Sequence, residues 1–194
     1  MAETQGVGAG PWVAFFRNMN LGQRRSKSPT SGELLSAFAD AGAAGAVNVQ
    51  TNGTVIFPST DPTHTIESVR AALRVITGYQ DTVIVREGRW VLELAVRLDP
   101  TVPHADVSLF DADGLPDLEL PWVEPTRRAL TVLALDRRHA VSSWQEPLMG
   151  SNATTVLGRL LGVPVTSRGV PTMLRLATRL ESLLAWRRSL RGRR

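Results

Sequence analysis

Two arginines and their polar neighbours are the side chains of this sequence best suited to binding an anion. Arg17 and Asn20 follow a short apolar run, and Gly22 comes two residues later. Arg168 precedes a predicted helix whose first turn includes Thr172. Helix N-termini favour negative charge through free amides and the helix dipole, and a guanidinium adds a bidentate clamp. We predict that these residues form a pocket for a small anion; the alternative is that both arginines are structural and bond carboxylates or loop carbonyls.

The arginine-rich C-terminus is a second candidate surface. The formal net charge is +4, and the chain without its five C-terminal arginines has a formal net charge of −1. Such a cluster can bind phosphate backbones, or it can be a solvated helix end whose cations suit the helix dipole. Trp186 is the one aromatic residue near this cluster, so no interleaved set of aromatic side chains is present for stacking on bases. The arginines predicted here to contact nucleic acid are Arg187, Arg188, Arg191, Arg193 and Arg194.

Several other chemistries have weak support or none. The sequence has no cysteine, which excludes disulfides, thiolate catalysis and zinc–thiolate sites. The segment Asp111-Ala112-Asp113-Gly114 resembles the start of a calcium loop, but the twelfth position, which needs an acidic ligand, is Trp122. Gly150-Ser151-Asn152 lacks the lysine of a phosphate-binding loop, so we interpret it as a helix cap. We predict no metal and no cofactor.

Tryptophans offer another kind of candidate. Trp122 and Trp144 both lie near predicted loops, where an aromatic side chain lines a cleft or an interface in some proteins. Filling the core is the more common role, and both interpretations stay open.

The first half of the chain alternates strand and helix signals. Thr30 and Glu33 match a capping box, Asp61-Pro62 matches the start of a second helix, and Asn52-Gly53 matches a hairpin turn. The predicted order is strand, helix, hairpin, helix, strand, which is a split βαβ pattern of ferredoxin-like type. The predicted strands are 12–17, 47–50, 54–57 and 82–85, and the predicted helices start near residues 31, 62 and 90.

The second half gives weaker signals. It predicts strands at 106–110, 130–135, 140–144 and 163–166, a helix at 153–161 and a long final helix at 171–188. The predicted fold class is therefore α+β, with a ferredoxin-like N-terminal half (residues 11–99), a second, smaller α/β subdomain (104–187) and a basic tail (188–194).

Two groups of motifs resemble the bacterial domain of unknown function 1697 family. The opening strand followed by Arg17-Asn18-Met19-Asn20-Leu21-Gly22, and the turn Gln50-Thr51-Asn52-Gly53-Thr54, are similar to the start of that family. Leu161-Gly162-Val163 and Thr166-Ser167-Arg168 are similar to its end, although Gly169, Val170 and Pro171 replace its Asn-Trp-Asn signature. The resemblance implies a two-part α/β structure and brings no established activity.

Three classes of function follow from these observations. The first is a ligand-binding or regulatory module for a small anion, the second is nucleic-acid or protein interaction through the arginine tail, and the third is an enzyme that uses neither thiol nor metal. Residues 1–10 lack the pattern of a signal peptide and no apolar run is long enough to span a bilayer, so we expect a cytoplasmic protein without a membrane partner. A homodimer is a further option, because ferredoxin-like halves often pair through sheet edges.

Overall fold

A computed structural model describes residues 10–126, 129–144 and 153–191, with side chains through residue 186. The fold is mixed α+β, as predicted, and the described residues form two antiparallel sheets. It divides into two compact units, each with its own sheet. The first unit contains the described residues through Leu92 and those from Arg179 onward, and the second contains Glu93–Thr178.

The first unit is a four-stranded antiparallel sheet with the strand order β2-β3-β1-β4. This order is that of a split βαβ fold, so the ferredoxin-like prediction is confirmed. Its elements are β1 (Gly10–Phe16), a short 3-10 turn (Arg24–Ser26), α1 (Ser31–Asp40), β2 (Val47–Gln50), β3 (Thr54–Ser59), α2 (Pro62–Thr77), β4 (Val83–Glu87) and the start of α3 (Gly88–Ala95).

Local capping sets the helix ends of this unit. The Thr30 side chain accepts from the Glu33 amide and the Glu33 carboxylate accepts from the Thr30 amide, so the capping box is present. Asp61 caps α2 by accepting from the amide of His64, and Gly78 ends α2 in the left-handed conformation with φ 77°. Because each signal lies within four residues of the helix end that it sets, the sequence predicts these boundaries closely.

Aromatic side chains fill the core between the two helices and the sheet. Phe16, Phe38, Phe57 and Tyr79 are all buried there. The rings of Phe16 and Phe38 meet edge to face with centroids 6.2 Å apart, and Phe16 and Tyr79 lie 5.9 Å apart. The end of β1 is thus anchored on α1 and on the segment that follows α2.

The edge strand β2 pairs irregularly with β3. Val47 pairs with Ile56 and Asn48 with Val55, but the register then shifts, and Gln50 pairs with Thr54. Val49 is therefore an extra residue on β2 that has no pairing partner on β3. This is the pattern of a β-bulge, in which two residues of one strand lie opposite one residue of the other.

The second unit is a five-stranded antiparallel sheet with the strand order β6-β7-β8-β5-β9. Leu157 of α4 packs with Phe110, Leu130 and Val132 in a separate core. The elements are β5 (Asp106–Leu109), β6 (Trp122–Val123), β7 (Leu130–Leu135), β8 (His139–Trp144), α4 (Ala153–Leu161), β9 (Thr166–Gly169) and α5 (Val170–Arg191), which continues into the first unit.

Three details differ from the sequence-based predictions. The strand predicted at 163–166 is instead Thr166–Gly169, because Pro164 has no amide hydrogen for a ladder and the pairing with β5 starts at Thr166. The two-residue strand β6 was missed, since it is too short to show an alternating pattern. The unit boundaries fall inside α3 and α5, whereas the predicted subdomains were 11–99 and 104–187 with a separate tail at 188–194.

No helix in the described ranges is both long enough and apolar enough to cross a membrane.

Candidate functional site

The Arg17 side chain is held at the end of β1 by an ion pair. Its Nη1 donates to both carboxylate oxygens of Asp81, at 2.9 and 3.2 Å. Asn18, at φ 51°, adds a bond of 2.7 Å from its Nδ2 to the same carboxylate, and the Thr82 amide donates to it at 2.7 Å. The hydroxyl of Tyr79 donates to the Arg17 carbonyl at 2.7 Å. Arg17 therefore ties the β1 end to the segment before β4.

Backbone bonds close the loop that follows. The Asn20 amide donates to the hydroxyl of the buried Ser28 at 2.9 Å, and the Gly22 amide donates to the Pro29 carbonyl at 2.8 Å. Gly22 has φ 84°, a conformation that suits glycine. The Asn20 and Gly22 amides are thus both engaged within the loop.

The hairpin turn between β2 and β3 packs against this loop. The Leu21 amide donates to the Thr51 carbonyl at 2.7 Å, and the Phe16 amide donates to the Gly53 carbonyl at 2.9 Å. Gly53 is buried at φ 69°, and a Cβ there would lie 2.8 Å from both the Met19 Sδ and the Phe16 Cβ. The two N-terminal motifs singled out in the sequence, 17–22 and 50–54, are therefore in contact.

The remaining residues of the predicted anion pocket lie in the second unit. Arg168 is on β9 with 5% of its surface exposed, and its Nη1 donates to the Thr166 hydroxyl at 2.9 Å and to the Ser167 carbonyl at 2.8 Å. Thr172 is on α5 and its hydroxyl accepts from Arg175 at 3.2 Å. Arg17, Asn20 and Gly22 are thus brought together in the first unit, and Arg168 and Thr172 lie close in sequence in the second. Both arginines make the kind of bonds expected of structural residues.

A different pair of arginines lines a cavity in the first unit, which we call the basic cavity. Arg70 and Arg74 extend from the last turns of α2, and Ala71, Tyr79 and Gln80 complete the lining of a space of about 250 Å³. Neither guanidinium forms an ion pair within the part of the chain that the structure describes. Two cations four residues apart on a helix repel each other, so an anion between them would be stabilising.

The basic cavity adjoins the Arg17 loop through Tyr79. The Tyr79 ring packs on Phe16 and its hydroxyl bonds the Arg17 carbonyl, while the residue itself lines the cavity. Lys27, from the same loop, has its Cδ 3.7 Å from the Cβ position of Gly78 at the end of α2. A third cation therefore lies near the residues that line the basic cavity.

The sequence signal for this cavity is the spacing of two arginines, which is not part of any motif described above. Arg70 and Arg74 have i,i+4 spacing on the exposed side of an amphipathic helix, directly before the segment Gly78-Tyr79-Gln80. Exposed arginines are common on helices, so this spacing alone does not indicate a binding site. The fold is needed to show which side chains share a cavity.

Two other predicted features are only partly described. The backbone of α5 continues through Arg191, while the side chains of Arg187, Arg188 and Arg191, and all of Arg193 and Arg194, lie outside the described residues. The cap predicted at 150–152 also lies outside them. Binding of nucleic acid through the arginine tail stays a prediction.

Among the described residues, no cluster of three or more His, Asp or Glu side chains is placed so that it could hold a metal ion.

The carboxyl groups whose pKa values are shifted are not among the residues that line the basic cavity. The Thr30 amide and Arg24 hold the pKa of Glu33 below its usual value, and the Thr101 hydroxyl and amide do the same for the pKa of Asp99. Burial raises the pKa of Asp136, but the amides of Arg138 and His139 and the His139 imidazole outweigh burial, so its pKa is also lowered. An enzymatic role, which predicts a strongly shifted group in a cleft, stays a hypothesis.

The Asp136 turn predicts a measurable pH dependence. Asp136 Oδ1 accepts from the Arg138 and His139 amides, each at 2.7 Å, and Oδ2 lies 2.8 Å from the His139 Nδ1. A carboxyl group whose pKa is lower in the folded state than in the unfolded state stabilises the fold at pH values above its unfolded-state pKa, which is 3.8 for Asp136. This stabilisation is lost as the pH falls through the folded-state pKa. We expect wild type to be more stable than Asp136→Asn at pH 7, and the difference to shrink as pH falls below about 4. Urea unfolding at several pH values tests this, and a difference that is constant from neutral to acid pH would contradict it.

Comparisons with known proteins extend the fold assignment. No protein-family model matches this sequence, and no protein of curated function matches it. Among solved structures, the chain is similar to the conserved bacterial protein SP0830 from Streptococcus pneumoniae, with a TM-score of 0.59 and 16% sequence identity. The match covers 89% of this chain and 98% of that one. The likeness therefore supports the α+β fold over most of the chain, and the resemblance to the domain of unknown function 1697 family stays a prediction.

Proposed function

We propose that this protein is a ligand-binding module that holds a small anion, a phosphate or carboxylate group, in the basic cavity. The observation that carries the proposal is the pair Arg70 and Arg74, which line one cavity without a carboxylate partner among the described residues. Arg17, the sequence-based candidate, contrasts with them because Asp81 already neutralises it. The proposal keeps the predicted ligand class and changes the residues that bind it.

The chemistry of the cavity favours an oxyanion. Guanidinium groups match the geometry of phosphate and carboxylate oxygens through paired N–H donors. Gln80 lies in the same lining and its amide nitrogen is a further donor. A space of about 250 Å³ accommodates an anionic group with a small organic part. A cytoplasmic location, which we expect from the sequence, belongs to the same proposal.

The test is anion binding to a double variant. We expect Arg70→Gln/Arg74→Gln to weaken binding of phenyl phosphate at least tenfold, since hydrogen bonds to charged groups contribute about 1.5–3 kcal/mol each and 1.4 kcal/mol is a factor of ten. Calorimetric titration of wild type and variant with phenyl phosphate, and then with benzoate, measures the loss and distinguishes phosphate from carboxylate.

The matched control removes two positive charges elsewhere. Arg97 and Arg137 are exposed, and Arg97→Gln/Arg137→Gln changes the net charge by the same amount. This control should bind like wild type. Equal weakening in both double variants would show a general charge effect, and binding that is unchanged in the cavity variant would overturn the proposal.

A further inference from the structure

The second unit also contains a cavity, with a volume of about 370 Å³. Trp144 lines it, and the Trp144 Nε1 donates to Asp106 Oδ2 at 2.9 Å. Trp144 thus lines a cleft, which is one of the two roles that the sequence left open. The lining holds one arginine, Arg159, together with Glu124, whose Oε1 already accepts from a backbone amide. The charges of the basic cavity in the first unit specify a ligand more closely.

Lys27 places a third positive charge beside the end of α2, where the basic cavity lies. Its Cδ is 3.7 Å from the Cβ position of Gly78, and Gly78 directly precedes Tyr79 and Gln80 in the lining. Lys27 ends the 3-10 turn with φ 56°, and its amide donates to the Arg24 carbonyl at 3.0 Å. Because this bond holds the backbone in place, only the Lys27 side chain has to move to reach an anion in the cavity.

The charges around the basic cavity favour a doubly charged ligand. Arg70 and Arg74 line it and Lys27 is beside it, and none of the three has an ion-pair partner in the described ranges. The carboxylate of Asp81, which follows the lining segment, already pairs with Arg17 at 2.9 Å. A phosphate monoester carries close to two negative charges above about pH 7, whereas a carboxylate or a phosphate diester carries one. Three cations therefore stabilise the monoester more than either singly charged group.

An apolar surface borders the basic cavity along α2. Ala71 is in the lining, and Val75 lies four residues further along, so the two side chains are neighbours on the helix surface. Val75 is 87% exposed, and it directly follows Arg74, which also lines the cavity. Covering an exposed valine with an apolar group is favourable. A ligand whose anionic group lies between the arginines is therefore bound more tightly if its other part covers Ala71 and Val75.

We infer that the basic cavity binds a phosphate monoester of an apolar or aromatic alcohol. This inference rests on the proposed function and narrows its ligand class. The phosphate pairs with Arg70, Arg74 and the ammonium group of Lys27. The apolar group packs on Ala71 and Val75. A carboxylate would leave part of the positive charge unmatched, and a phosphate without an apolar group would leave Val75 uncovered, so each fits less well.

The first experiment compares three probes at about pH 8. Phenyl phosphate has two charges and an apolar ring, methyl phosphate keeps the charges without the ring, and benzoate keeps the ring with one charge. By calorimetric titration we expect wild-type protein to bind phenyl phosphate about fivefold or more tightly than either of the others. Binding of phenyl phosphate without this preference would overturn the inference and leave the proposed function standing. No binding of any probe would overturn both.

Single variants identify the groups that set the two preferences. Lys27→Gln should reduce the preference for phenyl phosphate over benzoate and keep the preference over methyl phosphate, because it removes charge alone. Val75→Ser should do the reverse, because it removes apolar surface alone. Both residues are exposed, so both variants should fold normally. If each variant keeps both preferences, the inference is wrong.

Two control variants match these changes in the second unit. Arg137→Gln removes one exposed positive charge, and Val96→Ser removes a valine that is 88% exposed, against 87% for Val75. Both controls should bind the three probes like wild type. Equal losses in a variant and its control would show a general effect of charge or of apolar surface, and would overturn the inference.

Discussion

Replacing Gly53 with alanine should lower the free energy of unfolding by about 2–4 kcal/mol. An alanine in the left-handed backbone conformation costs about 1 kcal/mol, and overpacking of the core by its Cβ costs about 1–3 kcal/mol. The new Cβ would lie 2.8 Å from the Phe16 Cβ and from the Met19 Sδ, and 3.0 Å from the Met19 Cβ. The Met19 sulfur is able to rotate away, but Phe16 Cβ belongs to a fully buried strand residue that also packs on Phe38 and Tyr79. Urea unfolding followed by circular dichroism measures the change.

Gly22 provides the control for the backbone cost alone. It has φ 84°, and a Cβ there would meet nothing within 4 Å. Gly22→Ala should therefore cost only about 1 kcal/mol, the cost of a side chain in the left-handed region. Similar losses for the two variants would show that the close approach of the hairpin turn to Met19 and Phe16 is unimportant for stability.

Replacing Asp81 with alanine is the second substitution with a large expected effect. It should lower the free energy of unfolding by about 1.5–3 kcal/mol, because the hydrogen bonds to the charged carboxylate are lost and their donors are left without this acceptor. This carboxylate accepts from Arg17, Asn18 and the Thr82 amide, and its side chain is 24% exposed. Asn18 also has a positive φ, which this bond helps to stabilise. Asp113→Ala, at an exposed carboxylate in a loop of the second unit, should change stability by less than about 0.5 kcal/mol.

A double-mutant cycle distinguishes the two roles of Arg17. If it is structural, Arg17→Gln and Asp81→Ala should be non-additive by about 0.5 kcal/mol or more, and Arg17→Gln should leave phenyl phosphate binding unchanged. If Arg17 binds the anion instead, Arg17→Gln should weaken phosphate binding, and the basic cavity would have to include the end of β1.

The sequence predicts what is encoded locally. The capping box at Thr30, the Asp61-Pro62 helix start and the Asn52-Gly53 turn each depend on residues within a few positions of one another, and the structure has all three where they were predicted. The strand order of the first unit also follows, because the alternation of strands and helices leaves few topologies.

The candidate site was less predictable because its contacts are distant in sequence. Arg17 and Asp81 are 64 residues apart, and Trp144 and Asp106 are 38 apart. No spacing rule indicates such pairs, so the sequence could not show that Arg17 is already neutralised or that Trp144 is anchored. Arg70 and Arg74 were visible as exposed helix residues, but which side chains share a cavity is set by the packing of α2 against the segment that follows it.

The bulge in β2 bears on whether copies of this protein associate through an edge of the first sheet. β2 is an edge of the first sheet, and its outer amides and carbonyls are a template on which the edge strand of another chain adds. The register shift between Asn48 and Gln50 breaks that row after two residues, so an incoming strand finds no regular ladder to extend. Deleting Val49 would straighten the strand, and we expect the shortened protein to aggregate more readily through this edge.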